Sequence, residues 1–292
     1  MTLRRRVLAT LARRPALGAW ALLAPGLGWL LLFFLLPIAI MVAVSVMPRG
    51  IYGGVEPGLT LEHYRRFFDP LYLGILARTV AWAAACTALC LVLGFPVAYV
   101  IARARRWQSI LLLLVVLPFW TSFLVRTFAL IFLLRDTGLV NGLLLAAGLI
   151  DRPLTLLYTP FAVILGLVYG FLPFMILPIF ASLEKLDPAL LEAAEVLGAR
   201  PAARFWRVTV PLAAPGIVAG MFLVFIPALG SFLTPDLLGG AKQVMIGNLV
   251  QNQFLAARNW PFGSAASLVV MVAVLSAVLI RLRRRDAAPA AR

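Results

Sequence analysis

Six long apolar stretches dominate this sequence, and they constrain its fold more than any other feature. A helix needs about 20 apolar residues to cross the hydrocarbon core of a bilayer. The composition, 63% hydrophobic and 13% charged, is too apolar for a water-soluble domain of 292 residues. The sequence therefore predicts an all-α polytopic membrane protein with six transmembrane helices, at 19–47, 71–102, 109–134, 159–183, 212–234 and 261–280.

The first apolar stretch follows five arginines, as the hydrophobic region of a secretion signal does. It runs from Ala19 to Met47, which is far longer than such a region, and no small-x-small cleavage site ends it. We expect an uncleaved signal-anchor that forms the first span.

The basic residues divide unequally between the two sets of loops. The N-terminal arm, the 103–106 and 185–207 connections and the tail hold 17 of the 26, whereas the opposite loops hold seven. Because the richer side is normally cytoplasmic, we expect both termini there. The predicted organisation is a cytoplasmic arm at 1–18, a permease domain at 19–281 and a cytoplasmic tail at 282–292. The net charge of +15 is then membrane-flanking, which argues for lipid contact and against nucleic-acid binding.

A shorter apolar stretch at 138–150 is followed by Asp151, Arg152 and Pro153. It is too short to span, and a seventh crossing would reverse the orientation of the arginine-rich loops that follow it. We expect a short external helix that lies on the membrane surface.

The loop at 182–211 has unusually clear helix punctuation. Asp187 and Pro188 suit the start of a helix, and Gly198 suits a left-handed end. Pro201 opens a second short helix that carries Phe205 and Trp206 as apolar anchors. The loop therefore predicts a rigid helix–glycine–helix elbow. Such an elbow either docks into another protein or rests on lipid headgroups, and the residues alone leave both possible.

Within this elbow, Glu192-Ala193-Ala194 precedes Gly198 by three residues, and nine more residues lead to Val208-x-Val210-Pro211. The pattern resembles the EAA motif of ATP-binding-cassette (ABC) importer permeases, although that motif ends in Ile-x-Leu-Pro. The resemblance implies the type I ABC importer (MetI-like) permease fold, in which the elbow is a coupling helix seated in a cleft of an ATPase subunit. It places at that contact Glu192, Ala193, Ala194, Gly198, Val208, Val210 and Pro211.

Other segments are similar, in order and spacing, to the spermidine/putrescine (PotB/PotH-like) permease subfamily. They include Leu117–Thr127, Leu172–Pro178 and Asn259-Trp260-Pro261. The resemblance implies an inner-membrane subunit that forms the path for a small solute, with a polyamine as first candidate and another small solute as alternative. It also implies three kinds of partner: a dimer of cytoplasmic ATP-binding subunits, a second permease subunit and an extracytoplasmic solute-binding protein.

The sequence also indicates which energy source would drive transport. Neither lysine of the chain follows a glycine, so no P-loop is present to hold ATP phosphates, and the chain is expected to be non-catalytic. All eleven acidic residues fall in loops, span ends or the elbow, whereas ion-coupled carriers keep carboxylates at membrane depth. A partner ATPase is therefore favoured. A gradient-driven secondary carrier and a non-transporting scaffold remain as alternatives.

No cofactor or metal is expected. Cys86 and Cys90 lie four residues apart among alanines, which suits small packing residues rather than ligands. His63 is expected to be an ordinary surface residue.

Two residues are predicted to line the translocation path. Arg126 falls well inside the third span, where a charge is costly, and either serves as a gate or lining group or snorkels to the headgroups. Trp120 offers a ring for cation–π contact with a polyamine.

Overall fold

The computed structural model describes residues 15–286, so most of the predicted 1–18 arm and 282–292 tail lies outside the described residues. The chain divides into two compact units, one built from 1–67 and 253–292 and the other from 68–252. Six helical stretches in the described part are long and apolar enough to cross a membrane, which confirms the predicted number: Leu23–Ser45, Pro70–Arg103, Phe123–Ala146, Pro160–Glu184, Pro201–Leu229 and Trp260–Ile280.

The predicted helix boundaries hold well for the second, fourth and sixth spans. The first span belongs to a helix over Pro15–Ser45, and the sixth belongs to one over Trp260–Asp286. The fifth ends at Leu229 rather than at residue 234, because a new short helix begins at Leu233. Shorter helices in the connections are Glu62–Phe67, Leu233–Gly239 and Ile246–Leu255.

The third apolar stretch differs from the expectation of one continuous helix. It forms the α-helix Gln108–Val116, the 3-10 turn Leu117–Trp120 and the α-helix Phe123–Leu134. Pro118 lies at the start of the 3-10 turn, where its missing backbone N–H removes one hydrogen bond of the α-helix. The Thr121 hydroxyl then donates to the Pro118 carbonyl oxygen at 2.7 Å, and the chain stays extended at Ser122.

The segment after the third stretch contains the short helix Leu139–Ala146, within the predicted 138–150. Together with Phe123–Leu134, this helix forms the candidate span Phe123–Ala146, as judged by length and apolar composition. The span predicted from the sequence lay earlier in the chain, at 109–134. The two helices are separated by a turn at Gly138, where a Cβ would lie 2.5 Å from the Leu133 carbonyl oxygen. Fully buried Asn141 bonds both backbone groups of Leu154 and closes the following loop. A location on the membrane surface stays a prediction.

A recurring X-Pro pair sets where three helices begin. Asp69, Thr159 and Asp187 each accept a backbone N–H bond with their side chain, and a proline occupies the next position. The capping side chain accepts a hydrogen bond from a backbone N–H that has no partner within the helix. The proline costs no hydrogen bond, because an N–H at the first helical position would have no partner there either.

The fourth span forms the centre of the 68–252 unit, with the second and fifth spans packed on it. Met175 is fully buried, and glycines on both neighbouring spans, Gly94 and Gly220, lie against it. Cys86 and Cys90 are also buried in this core, with their sulfurs 4.0 Å apart, as expected for packing residues. Small residues allow such close approach of membrane helices.

Gly216 makes the closest of these approaches and gives a direct test of the packing. A Cβ there would lie 2.3 Å from the backbone oxygen of Pro178, so the fifth span would have to move. We expect Gly216→Ala to destabilise the chain by about 1–3 kcal/mol, measured as a lower thermal midpoint in detergent. Gly74→Ala is the matched control, since no atom lies within 4 Å of its added Cβ. Equal midpoints for the two variants would contradict this packing.

In the other unit, the first and sixth spans lie against each other, and the helix Glu62–Phe67 packs on the sixth. His63 is buried here, and its Nε2 lies 3.1 Å from the Met47 carbonyl oxygen. The prediction that His63 is a surface residue was wrong. A six-residue helix in a polar segment is too short to show in the sequence which of its faces is buried.

Candidate coupling elbow and membrane-embedded arginines

The first arm of the elbow is the helix Pro188–Val196. The Asp187 carboxylate accepts the Ala189 N–H at 2.9 Å. At the other end, Gly198 has a φ of +78°, and its N–H bonds the Glu195 carbonyl at 2.8 Å. The capping residue and the left-handed glycine predicted from the sequence are both confirmed.

The second arm is not a separate helix. Pro201–Arg204 continues through a π-helical turn, Phe205–Thr209, directly into Val210–Leu229. The Val210 N–H reaches back five residues to the Phe205 carbonyl. Because Pro211 cannot donate and crowds the preceding turn, the wider π turn relieves the conflict without breaking the helix. The second arm of the elbow is thus continuous with the fifth span.

A salt bridge closes the two arms of the elbow on each other. Arg204 Nη1 donates to Glu195 Oε2 at 2.5 Å, across the turn at Gly198. The pair is partly exposed, so it is worth at most about 1 kcal/mol, but it restricts the angle between the arms.

Several large apolar side chains of the elbow are exposed, and we call them its apolar tip. Val196 and Leu197 are 87% and 86% exposed, and Trp206 is 67% exposed. Leu190 on the first arm is also exposed. Exposed large apolar groups are typical of a surface that another protein or lipid headgroups cover.

Phe205 was predicted, with Trp206, to be an apolar anchor for another molecule, but it packs on the second span. Its ring packs edge-to-face on Phe95 at 5.4 Å and on Tyr99 at 6.1 Å. It therefore fastens the elbow to the second span and leaves Trp206 as the exposed ring.

The predicted coupling residues occupy both arms of the elbow. Glu192, Ala193, Gly198 and Pro211 are exposed, and Ala194, Val208 and Val210 are half-buried. The valines lie in and just after the π turn, where they support the junction with the fifth span.

A cavity of about 500 Å³ lies under the first arm. Glu192 lines it together with Arg103 and Arg105, which belong to the end of the second span and the following loop. On its wall, Gln108 Nε2 donates to Glu184 Oε1 at 2.6 Å, joining the third stretch to the end of the fourth span. The elbow therefore adjoins two other spans through polar groups.

Arg126, predicted to lie inside the third span, belongs to the helix Phe123–Leu134 and is half-buried. Its guanidinium carbon lies 4.7 Å from the ring centre of Phe119, 5.7 Å from that of Phe123 and 6.0 Å from that of Tyr169. Its Nε and Nη1 are buried without a hydrogen-bond partner. The guanidinium thus lies against three aromatic rings.

Trp120, the other predicted path residue, is 75% exposed at the end of the 3-10 turn. Arg78, the ninth residue of the second span, was not among the predicted site residues, and it also has a buried Nε without a hydrogen-bond partner. Its guanidinium lies 5.9 Å from the Trp82 ring centre, and the Arg-x-x-x-Trp spacing of one helical turn was the available signal.

Metal chemistry receives no support from this arrangement. Among residues 15–286, His, Cys, Asp and Glu side chains form no group of three able to hold an ion.

Comparison with known proteins shows the family to which this chain belongs. Residues 90–285 match the family described as binding-protein-dependent transport system inner membrane component. The chain is 43% identical over 257 residues to the spermidine/putrescine transport system permease protein PotB of Escherichia coli K12, covering 88% of this chain and 94% of that protein. It is 35% identical over 295 residues to the inner membrane ABC transporter permease protein YdcU of the same strain, covering 94% and 92%.

A solved structure supports the fold. The bacterial alginate ABC transporter, in complex with an alginate pentasaccharide-bound periplasmic protein, has a chain that superposes with a TM-score of 0.72 at 21% identity, covering 96% of this chain and 98% of that one. The present chain belongs to the family of binding-protein-dependent transport inner-membrane components. It is a multi-pass inner-membrane permease subunit of the PotB-like type I ABC class.

Proposed function

We propose that this chain forms part of the translocation path for a polyamine, spermidine or putrescine, in an importer driven by partner ATPase subunits. The observation that supports coupling to a partner is the elbow, which is capped, pinned by a salt bridge and exposed at its apolar tip. The polyamine assignment is supported by the 43% identity to PotB over most of both chains.

The proposed orientation puts both termini, the elbow and the cavity beneath it in the cytoplasm. It follows from the excess of arginine on that side of the six spans. The domain organisation is accordingly a cytoplasmic arm at 1–18, the permease domain at 19–281 with the elbow at 182–211, and a cytoplasmic tail at 282–292.

The proposed partners are a dimer of cytoplasmic ATP-binding subunits, a second permease subunit and an extracytoplasmic solute-binding protein. The family description names dependence on a binding protein, and the superposed alginate transporter was solved with its periplasmic protein. The ATPase contact is assigned to the exposed tip of the elbow, with Glu192, Ala193, Ala194 and Gly198 on the first arm and Val208, Val210 and Pro211 supporting it.

The mechanism that fits these parts is alternating access. Closure of the ATPase pair would push on the elbow, and the continuous rod Pro201–Leu229 would carry that displacement into the bundle. Phe205 would transmit it sideways to the second span through Phe95 and Tyr99. The chain itself contributes no catalytic residue in this scheme.

The test of this function is uptake in cells that lack their own polyamine importers. We expect the chain, expressed with its partner subunits, to give saturable uptake of radiolabelled spermidine that putrescine competes for. Uptake should vanish when the P-loop lysine of the ATPase partner is replaced. Uptake of a different solute would contradict the polyamine assignment, and proton-driven uptake without the ATPase would contradict coupling through the elbow.

A further inference from the structure

The aromatic surroundings of Arg126 form a site with its own chemistry. Phe119 belongs to the 3-10 turn, Phe123 is the first helical residue after the break, and Tyr169 comes from the fourth span. Their ring centres lie 4.7, 5.7 and 6.0 Å from the guanidinium carbon. We call these three rings the aromatic cage.

The cage is built by close packing as well as by ring placement. Gly170 lies beside Tyr169, and a Cβ there would be 3.2 Å from the Phe123 ring, so the glycine lets that ring lie against the fourth span. Phe174 packs edge-to-face on Phe119 at 5.3 Å and fixes the remaining wall. The rings are therefore held in position from two sides.

The guanidinium is poorly satisfied where it sits. Neither Nε nor Nη1 has an acceptor, although guanidinium groups normally form hydrogen bonds in fixed directions. A site selected for arginine would include a carboxylate or carbonyl oxygen aimed at those nitrogens. Ring faces without acceptors suit alkylammonium groups, whose attraction to a π-system is less directional.

The cage is also accessible. Tyr169 is 42% exposed and Phe174 is 40% exposed, so this wall opens on the surface of the 68–252 unit and not into its core. The adjoining break at Thr121 and Ser122 leaves an exposed non-helical segment directly before the candidate span that begins at Phe123.

We propose that Phe119, Phe123 and Tyr169 bind one ammonium group of the solute during its passage, and that Arg126 occupies this cage when no solute is present. The proposal rests on the proposed function for the class of solute, a cationic amine. Arg126 then acts as an internal competitor that leaves when the cation arrives.

The test uses the complete importer in lipid nanodiscs, without its external binding protein, and two probes, radiolabelled butylammonium and spermidine. We expect Arg126→Met to bind both amines about tenfold more tightly than the wild type, because the competitor is gone. Adding Tyr169→Leu to that variant should remove the gain. Copurification of the ATPase subunits establishes that each variant is assembled.

A second measurement keeps the site testable if Arg126→Met fails to assemble. In whole-importer uptake, Tyr169→Leu should reduce spermidine transport about tenfold. Phe161→Leu is the matched control, since it removes an exposed ring of the same helix over which no arginine lies in the described structure. We expect its transport to remain within twofold of the wild type.

The outcomes separate this site from the proposed function. Unchanged amine binding in an assembled Arg126→Met importer, or equal uptake by Tyr169→Leu and Phe161→Leu, would overturn the cage while leaving polyamine import intact. A wild-type importer that takes up no spermidine, combined with ring-dependent butylammonium binding by Arg126→Met, would overturn the solute assignment and support the cage.

Discussion

Glu192→Lys is expected to abolish solute uptake while the chain still inserts and folds. Glu192 is exposed on the first arm of the elbow, so its replacement disturbs no internal packing. Glu192 also lines the cavity together with Arg103 and Arg105, and a lysine there would add a third positive charge. Repulsion and the loss of a contact with the ATPase subunit both act against coupling, and we expect at least a tenfold loss of ATP-driven uptake.

The measurement combines membrane yield of the chain, copurification of the ATPase subunit and uptake. Glu192→Gln removes the charge without reversing it and should have a smaller effect. Asp151→Lys makes the same reversal at an exposed loop residue on the opposite side of the proposed topology and should leave ATPase copurification unchanged. Normal uptake by Glu192→Lys would contradict the assignment of the elbow as the coupling element.

Phe205→Ala is expected to have a comparably large effect through a different step. This substitution removes the ring that fastens the elbow to Phe95 and Tyr99. It leaves the exposed side chains of the tip in place, although Trp206 loses its edge-to-face contact with Phe205. Loss of a half-buried phenylalanine and its three edge-to-face contacts, with Phe95, Tyr99 and Trp206, costs about 2–3 kcal/mol at the junction. ATPase subunits should therefore still bind and hydrolyse ATP, while uptake falls more than tenfold.

The decisive quantity for this variant is the amount of solute transported per ATP hydrolysed, measured in proteoliposomes. Phe205→Leu keeps most of the apolar volume and should retain intermediate coupling. A Phe205→Ala importer that fails to bind its ATPase, or one with a normal transport ratio, would show that the ring does not transmit the displacement.

Much of the elbow was predictable because its structure is local. An aspartate before a proline specifies a helix start, and a glycine at the end of an amphipathic segment specifies a left-handed turn, whatever surrounds them. Both features were found at the expected residues, Asp187 and Gly198. The number of spans was predictable for a similar reason, since the thickness of the bilayer sets the length of each apolar stretch.

Features that depend on tertiary contacts could not be predicted from the sequence. Phe205 and Trp206 are adjacent aromatic residues, and only the position of the second span decides which of them turns inward. The cage around Arg126 joins residues about 50 positions apart in the chain, so Tyr169 could not be associated with it. The π turn before Pro211 reflects continuity with the fifth span, whereas the proline alone indicated a boundary.

The side of the membrane on which the elbow lies is the central claim, and cysteine labelling tests it most directly. The native Cys86 and Cys90 are buried, so a Trp206→Cys variant provides the accessible thiol. An impermeant maleimide should label it in inside-out vesicles and not in intact cells, and bound ATPase subunits should protect it. Labelling of this residue from outside intact cells would contradict the account.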